Sequence, residues 1–175
     1  ARITIFDHAS KGILAEGQTT GGTGDTEKIM KAKFLRDGIT QETAHFKTSI
    51  SLTQPTLVDI RVTGPQSFPD AKNTLSVSHW LYPAEQGAGV QSLVLELPGL
   101  IVQPQTIALD GENPAMISAK VMMLCGCPFS PKGTWDSDKL KVWAEIVSDD
   151  KRQQVIELSY IDDSTFGANL EPSNL

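Results

Sequence analysis

Apolar and polar residues alternate along most of the chain that follows residue 27. The alternation has a period of two, which places one set of side chains against a core and the other towards water, as in a half-buried β-strand. Eight segments show it: 30–34, 46–52, 58–62, 75–81, 93–97, 117–123, 140–146 and 156–160. Only the first of these also fits a helical period.

Turn-forming residues separate these segments. Glycine, asparagine, aspartate and proline recur in the gaps, and ten prolines spread along 175 residues would break helices repeatedly. Short strands with this spacing predict an all-β fold, an antiparallel β-sandwich of about 8–9 strands that is immunoglobulin-like or related. A closed β-barrel is the alternative, because periodicity does not separate the two architectures.

The chain has the length of one domain with a substantial core. Residues 1–26 contain four glycines between 17 and 24 and show little period, which predicts a loosely ordered amino-terminal segment with a glycine-rich loop. Residues 27–166 are predicted to form the single sandwich domain. Residues 167–175 are predicted to be a carboxyl-terminal tail.

The most chemically distinctive feature of the sequence is the pair of cysteines Cys125 and Cys127, separated by Gly126. If the strand from residue 115 continues through the motif, alternation places Met123 and both cysteines on one face. Two thiolates and a thioether are soft ligands that suit copper(I). The sequence therefore suggests copper as the one candidate cofactor, with His79 as a further ligand.

Two other interpretations of the cysteine pair remain open. A disulfide across one residue closes a strained ring, which would favour thiol–disulfide exchange, although neither a helix amino terminus nor a cluster of cations is present to lower a thiol pKa. Alternatively, both cysteines are small apolar residues at the end of a strand, without a chemical role.

Three aromatic residues lie on the polar side of their predicted strands. Trp80 and Tyr82 alternate with the core-facing Leu81, and Trp143 alternates with Val142 and Ala144. Exposed aromatic rings on a sheet face are typical of contacts with carbohydrate or protein. These three residues are the candidate partner-binding residues; the alternative is that the amino-terminal segment or a loop covers this face.

Charge and hydropathy exclude some classes of partner. The net charge is −6 and basic residues are scattered, which argues against nucleic acid because phosphate contacts need clustered Lys and Arg. No apolar run approaches the ~20 residues of a membrane-spanning helix, so no membrane span is expected. An amino-terminal alanine fits the residue that follows signal cleavage, which favours a secreted or periplasmic location.

The sequence as a whole favours a non-enzymatic binding or interaction module that acts through a sheet face or edge. No Gly-x-Ser-x-Gly elbow or metalloprotease motif supports an enzyme. The alternatives are a protein that binds copper or another soft metal through the Cys-Gly-Cys unit, and a thiol–disulfide exchange protein.

Overall fold

The computed structural model describes residues 1–84, 91–106, 115–148 and 151–170. The chain divides into two compact units, Ala1–Pro98 and Gly99–Leu175. Each unit contains one antiparallel sheet and its own hydrophobic cluster.

The sheet of the first unit has four strands in the order β2-β1-β3-β4. Their bounds are β1 (Arg2–Asp7), β2 (Ile13–Gln18), β3 (Thr56–Gly64) and β4 (Asn73–Leu81). The β3–β4 ladder pairs nine consecutive residues without a bulge, from Thr56 with Leu81 to Gly64 with Asn73. The first sheet is therefore most regular on its β4 side.

Alternate residues of β1 and β3 form the core of the first unit. Val58 is fully buried, and Ile3, Ile5 and Val62 pack with it. The core is covered by apolar side chains from outside the strands, among them Phe46, Ile50, Leu95 and Leu97.

Two predicted strands, 46–52 and 93–97, are not strands in the structure. The predicted alternation is nevertheless visible, because Phe46 and Leu95 pack against the core. The ring of Phe46 lies directly over Gly17 of β2, where any side chain would collide with it. Burial, rather than ladder hydrogen bonding, explains the pattern in these segments.

The segment around Met30 is helical, which corrects its interpretation as a strand. Helix α1 (Thr26–Lys31) begins at Asp25, whose carboxylate accepts a hydrogen bond from the Lys28 backbone N–H at 3.1 Å. Glu27 and Lys31 pair along the helix at 3.6 Å. A capped start and an i, i+4 ion pair stabilise a helix even though none of its residues is buried.

The sheet of the second unit has five strands in the order β5-β6-β9-β8-β7. Their bounds are β5 (Leu100–Thr106), β6 (Ala115–Met123), β7 (Val142–Ser148), β8 (Lys151–Asp162) and β9 (Thr165–Leu170). Single-turn 3₁₀ helices occur at Leu35–Gly38, Pro69–Ala71 and Ser137–Lys139.

The core of the second unit centres on Phe166 and Val121, which are 2% and 1% exposed. The Tyr160 ring meets Phe166 edge-to-face with centroids 5.5 Å apart. Ser164, in the β8–β9 turn, is fully buried, and its hydroxyl accepts a hydrogen bond from the Phe129 N–H at 2.8 Å. This hydrogen bond ties the loop that follows β6 to the β8–β9 hairpin.

The predicted fold class is confirmed: the protein is all-β and antiparallel, with two sheets and nine strands in the described residues. Strands also occur outside residues 27–166. Residues 2–7 and 13–18 of the predicted loose segment are strands, because they pair with each other and with β3. Residues 167–170 of the predicted tail belong to β9, and 171–175 lie outside the described residues.

We expect Ser164→Ala to destabilise the protein by about 1–3 kcal/mol, because it leaves the Phe129 N–H buried without an acceptor. Urea denaturation monitored by circular dichroism measures the change. The matched control is Ser159→Ala, on the exposed side of β8, for which we expect a change within about 0.5 kcal/mol. Equal effects of the two variants would contradict the role assigned to Ser164.

Candidate functional site

The outer face of the first sheet, the side away from its hydrophobic cluster, carries most of the polar chemistry of the first unit. Residues that alternate with the buried Val58 and Val62 point to this face. Across the ladders, Leu57 lies opposite Trp80, Asp59 opposite Ser78, and Arg61 opposite Ser76.

Asp59 is the centre of a hydrogen-bonded cluster on the outer face. Its carboxylate accepts from His8 Nδ1 at 2.8 Å, from Lys11 Nζ at 2.9 Å and from Ser78 Oγ at 2.7 Å. His8 and Lys11 lie in the β1–β2 connection, where Asp7 accepts hydrogen bonds from the Ser10 backbone N–H and hydroxyl. The cluster therefore joins β3, β4 and the β1–β2 turn.

The same contacts control the charge of Asp59. The hydrogen bond from His8, followed by those from Lys11 and Ser78, holds the pKa of the Asp59 carboxyl far below its ordinary value of 3.8. A carboxylate with such a low pKa remains an anion at every physiological pH, so it is suited to holding a fixed geometry.

A shallow groove crosses the outer face beside the Asp59 cluster. Its lining includes three cations, Arg2, Arg61 and Lys72, and one acid, Glu16. Arg2 pairs with Glu16 at 2.9 Å, and the Arg61 guanidinium lies over the Phe6 ring at 5.2 Å. Among the described residues, Arg61 and Lys72 have no carboxylate partner, so the groove has unpaired positive charge.

The candidate binding residues Trp80 and Tyr82 are exposed in the structure. Trp80 is 50% exposed near the end of β4, and Tyr82, just beyond the strand, is 47% exposed. Trp80 lies opposite Leu57, two residues along β3 from Asp59. An aromatic surface and the Asp59 cluster are therefore neighbours on one face.

Trp143 belongs to the second unit. It is 59% exposed on β7, opposite Glu157 of β8. Val147 and Val155 of the same hairpin are also exposed, and Glu145 lies opposite Val155. Trp143 is therefore an exposed aromatic residue of the second unit, whereas Trp80 and Tyr82 belong to the first.

Cys125 and Cys127 lie in a tight turn after β6, and not in a continuation of the strand. The strand ends at Met123, whose carbonyl accepts from the Gly126 N–H at 2.7 Å, while the Met123 N–H donates to the Cys127 carbonyl at 3.0 Å. Gly126 has a φ of +83°, which favours glycine. The expected alternation through the motif is thus replaced by a turn.

The turn brings the two sulfur-bearing residues together. Both cysteines are free, and the Cys127 N–H donates to Cys125 Sγ at 3.4 Å. Partial burial, followed by the hydrogen bond with the Cys127 thiol, raises the pKa of Cys125 above its ordinary value of 9.0. Because the thiolate is the nucleophile in disulfide exchange, this pKa shift makes exchange the least favoured of the three hypotheses.

The other two proposed ligands have different surroundings. Met123 packs against the hydrophobic cluster of the second unit. His79 belongs to the first unit, on β4 opposite Val58. Within the described ranges, no three His, Cys, Asp or Glu side chains are grouped closely enough to hold a metal ion.

The sequence interpretation missed the Asp59 cluster and the groove. Alternation placed Asp59 and Arg61 on the polar side of their strand, but this is an ordinary position for charged residues. Their significance depends on His8 and Lys11, which are 51 and 48 residues away in the chain. No local signal in the sequence connects residues so far apart.

No helix in the described part of the chain is long and apolar enough to cross a membrane. Comparisons with protein-family models, with curated proteins and with solved structures found no match to this chain. Function must therefore be inferred from the chemistry of the surfaces described above.

We expect Asp59→Asn to lower the stability of the protein at neutral pH, because three donors lose an anionic acceptor. The folded pKa of Asp59 is below its unfolded value, so its contribution is present above about pH 5 and is lost as the pH falls below about 4. The difference in unfolding free energy between the wild type and the variant should therefore shrink on acidification. Urea denaturation at a series of pH values measures it.

The matched control for this experiment is Asp70→Asn, which changes an exposed aspartate of the same unit. We expect a smaller difference from the wild type, with little dependence on pH. A pH-independent effect of Asp59→Asn would show that the hydrogen-bonded charge is not the stabilising feature.

Proposed function

We propose that the protein is an exported, non-enzymatic binding module and that the outer face of its first sheet binds an anionic polysaccharide. The observation that carries the proposal is the half-exposed Trp80 on the same sheet face as a groove with unpaired cations. Each feature fits one part of such a ligand.

The charge of the groove contrasts with that of the chain. The protein has a net charge of −6, yet three of the four charged residues that line the groove are cations. An Arg guanidinium binds a carboxylate through a planar fork of N–H donors, and Arg61 has no carboxylate partner among the described residues. A ligand with regularly spaced carboxylates therefore complements the groove.

The aromatic residues fit the sugar rings of the same ligand. The apolar C–H face of a sugar can pack on an exposed aromatic ring, as Trp80 and Tyr82 offer, while polar side chains bond the hydroxyls. Ser76 is exposed beside Arg61, and Ser78 and Asp59 are adjacent to the tryptophan. A protein interface would need a broader apolar centre than this polar face provides.

The dimensions of the face favour an elongated ligand. The outward residues of β3 run from Thr63 near the groove to Leu57 beside Trp80. Six residue steps along a strand span roughly 20 Å. A chain of several sugars would contact both the cations and the aromatic rings.

The chemistry of Asp59 supports binding more than catalysis. A general acid or base works best with a pKa near the working pH, whereas the His8, Lys11 and Ser78 hydrogen bonds hold the pKa of Asp59 far below it. The three hydrogen bonds keep the Asp59 carboxylate ionised, and the carboxylate in turn orders the β1–β2 turn next to the binding face.

Polygalacturonate is a suitable probe, with dextran as the neutral polysaccharide and poly-L-glutamate as the anionic polypeptide. We expect calorimetric binding of polygalacturonate that weakens with added salt. Trp80→Ala should reduce affinity by about tenfold, because it removes an aromatic contact of about 1–1.5 kcal/mol. Arg61→Ala should reduce affinity and flatten the salt dependence.

The matched control is Trp143→Ala, which removes an exposed tryptophan from the second unit and should leave affinity unchanged. Equal binding of poly-L-glutamate would show that charge alone is recognised and would contradict the carbohydrate assignment. Binding that survives Trp80→Ala and Arg61→Ala would place the ligand away from this face.

A second candidate function is the binding of copper(I) by Cys125 and Cys127. The observation that favours it is the tight turn that holds both cysteines, in which the Cys127 backbone N–H donates to Cys125 Sγ at 3.4 Å. Two thiolates are soft ligands for copper(I), and both residues remain at least partly accessible to solvent. The turn requires no movement of a distant segment to bring the sulfurs together.

We expect one copper(I) ion per chain in an anaerobic competition titration against a chromogenic chelator. Affinity should rise with pH, because the metal must displace thiol protons and the pKa of Cys125 is raised. The Cys125→Ser, Cys127→Ser double variant should lose the site. Met123→Leu should bind copper(I) normally, because Met123 packs against the hydrophobic cluster of the second unit. Equal copper(I) uptake by the wild type and the double variant would exclude the site.

A further inference from the structure

The two sheets have four edge strands in the described residues: β2, β4, β5 and β7. An edge strand presents unpaired backbone N–H and C=O groups, which form a template for another strand. Natural sheets protect their edges with proline, charged side chains, bulges or short strands. The edges of this protein differ in this protection.

Three of the four edges carry protective features. Strand β5 contains Pro104, which has no N–H to donate. Strand β7 contains Glu145 and a register irregularity between Ile146 and Val147. Strand β2 is short, contains Glu16, and its pairing with β1 is irregular.

Strand β4 has none of these features; at its first residue Asn73 Nδ2 donates to the Pro98 carbonyl at 2.6 Å, but among the described residues no backbone group of β4 bonds to another backbone group outside the β3 ladder. Its nine residues, Asn73–Leu81, contain no charged residue, proline or glycine. All nine pair with β3 in an unbroken register, and β3 is the only strand partner of β4 among the described residues. A long, regular, uncharged edge is the form best suited to pair with another strand.

The sequence of β4 is also complementary to itself. In an antiparallel pair centred on Val77, the midpoint of the strand, all nine residues find a partner. Ser76 then faces Ser78 of the second copy, Thr74 faces Trp80, and Leu75 faces His79. No like charges meet, and each polar or apolar face continues across the junction.

We propose that two copies of the chain pair through β4 about a twofold axis at Val77, which forms one continuous eight-stranded antiparallel sheet. The interface is isologous and therefore closed, so assembly stops at a dimer. The half-exposed Trp80 of each copy lies across from Thr74 of the other, an aromatic–β-branched pair. This inference goes beyond the ligand proposal and does not depend on it.

Sedimentation equilibrium over a range of protein concentrations tests the proposal. We expect a dimer of twice 18.9 kDa that dissociates on dilution. In a Ser76→Lys, Ser78→Lys variant, lysines of the two copies face each other across the axis, and we expect the dissociation constant to rise by more than tenfold.

A matched variant, Ser76→Glu with Ser78→Lys, differs from the first at one residue. It places Glu opposite Lys of the second copy on both sides of the axis, so we expect the dimer to persist. Thermal unfolding checks that both variants fold, since residue 76 lies opposite Arg61 of its own chain and both variants remove the Ser78 hydroxyl that donates to Asp59. Equal dissociation of the two variants would overturn the β4 pairing.

Hydrogen exchange of the wild type gives an independent readout. The β4 amides that point away from β3 should be protected at concentrations where the dimer forms and should exchange rapidly on dilution. A wild-type protein that remains monomeric at all concentrations, or a dimer whose outward β4 amides exchange rapidly, would refute the proposal.

Discussion

The register of β3 is the constraint on which the first unit depends. Val58 is fully buried, and the strand pairs without interruption with β1 on one side and with β4 on the other. A slip of one residue would move Asp59 and Arg61 into the core and expose Val58 and Val62. Burying two charges and exposing two valines opposes any such slip, so core packing determines which side chains form the outer face.

The chemistry of that face is a consequence of long-range pairing. The β1–β2 turn places His8 and Lys11 over a carboxylate from β3, and β4 adds a serine from the other side. These donors lower the pKa of Asp59, and the resulting anion fixes the turn next to the exposed Trp80. The cationic groove and the aromatic surface thus lie on the same face of the first sheet, which these hydrogen bonds stabilise. The Cys-Gly-Cys turn of the second unit combines the positive φ of Gly126 with a hydrogen bond from the Leu124 N–H to the distant Gly99 carbonyl.

Alternation in the sequence predicted burial better than it predicted pairing. Strands β3, β4, β6, β7 and β8 were anticipated, whereas 46–52 and 93–97 have the same pattern without a ladder. Their apolar side chains cover the first core, which satisfies the same alternation. Strand β2 was obscured by the glycine-rich segment that follows it, and α1 forms because of a cap and an ion pair rather than a buried face.

Local patterns in the sequence were sufficient for the all-β antiparallel class, for the polar-side positions of Trp80, Tyr82 and Trp143, and for the proximity of Cys125 and Cys127, because each follows from spacing over a few residues. Long-range contacts were needed to establish that the chain forms two units, that the three aromatic rings are exposed, that the cysteines lie in a turn, and that His8, Lys11 and Asp59 meet. Those features depend on contacts between residues far apart in the chain. Strand register and core packing select such contacts, and no local pattern of side chains encodes them.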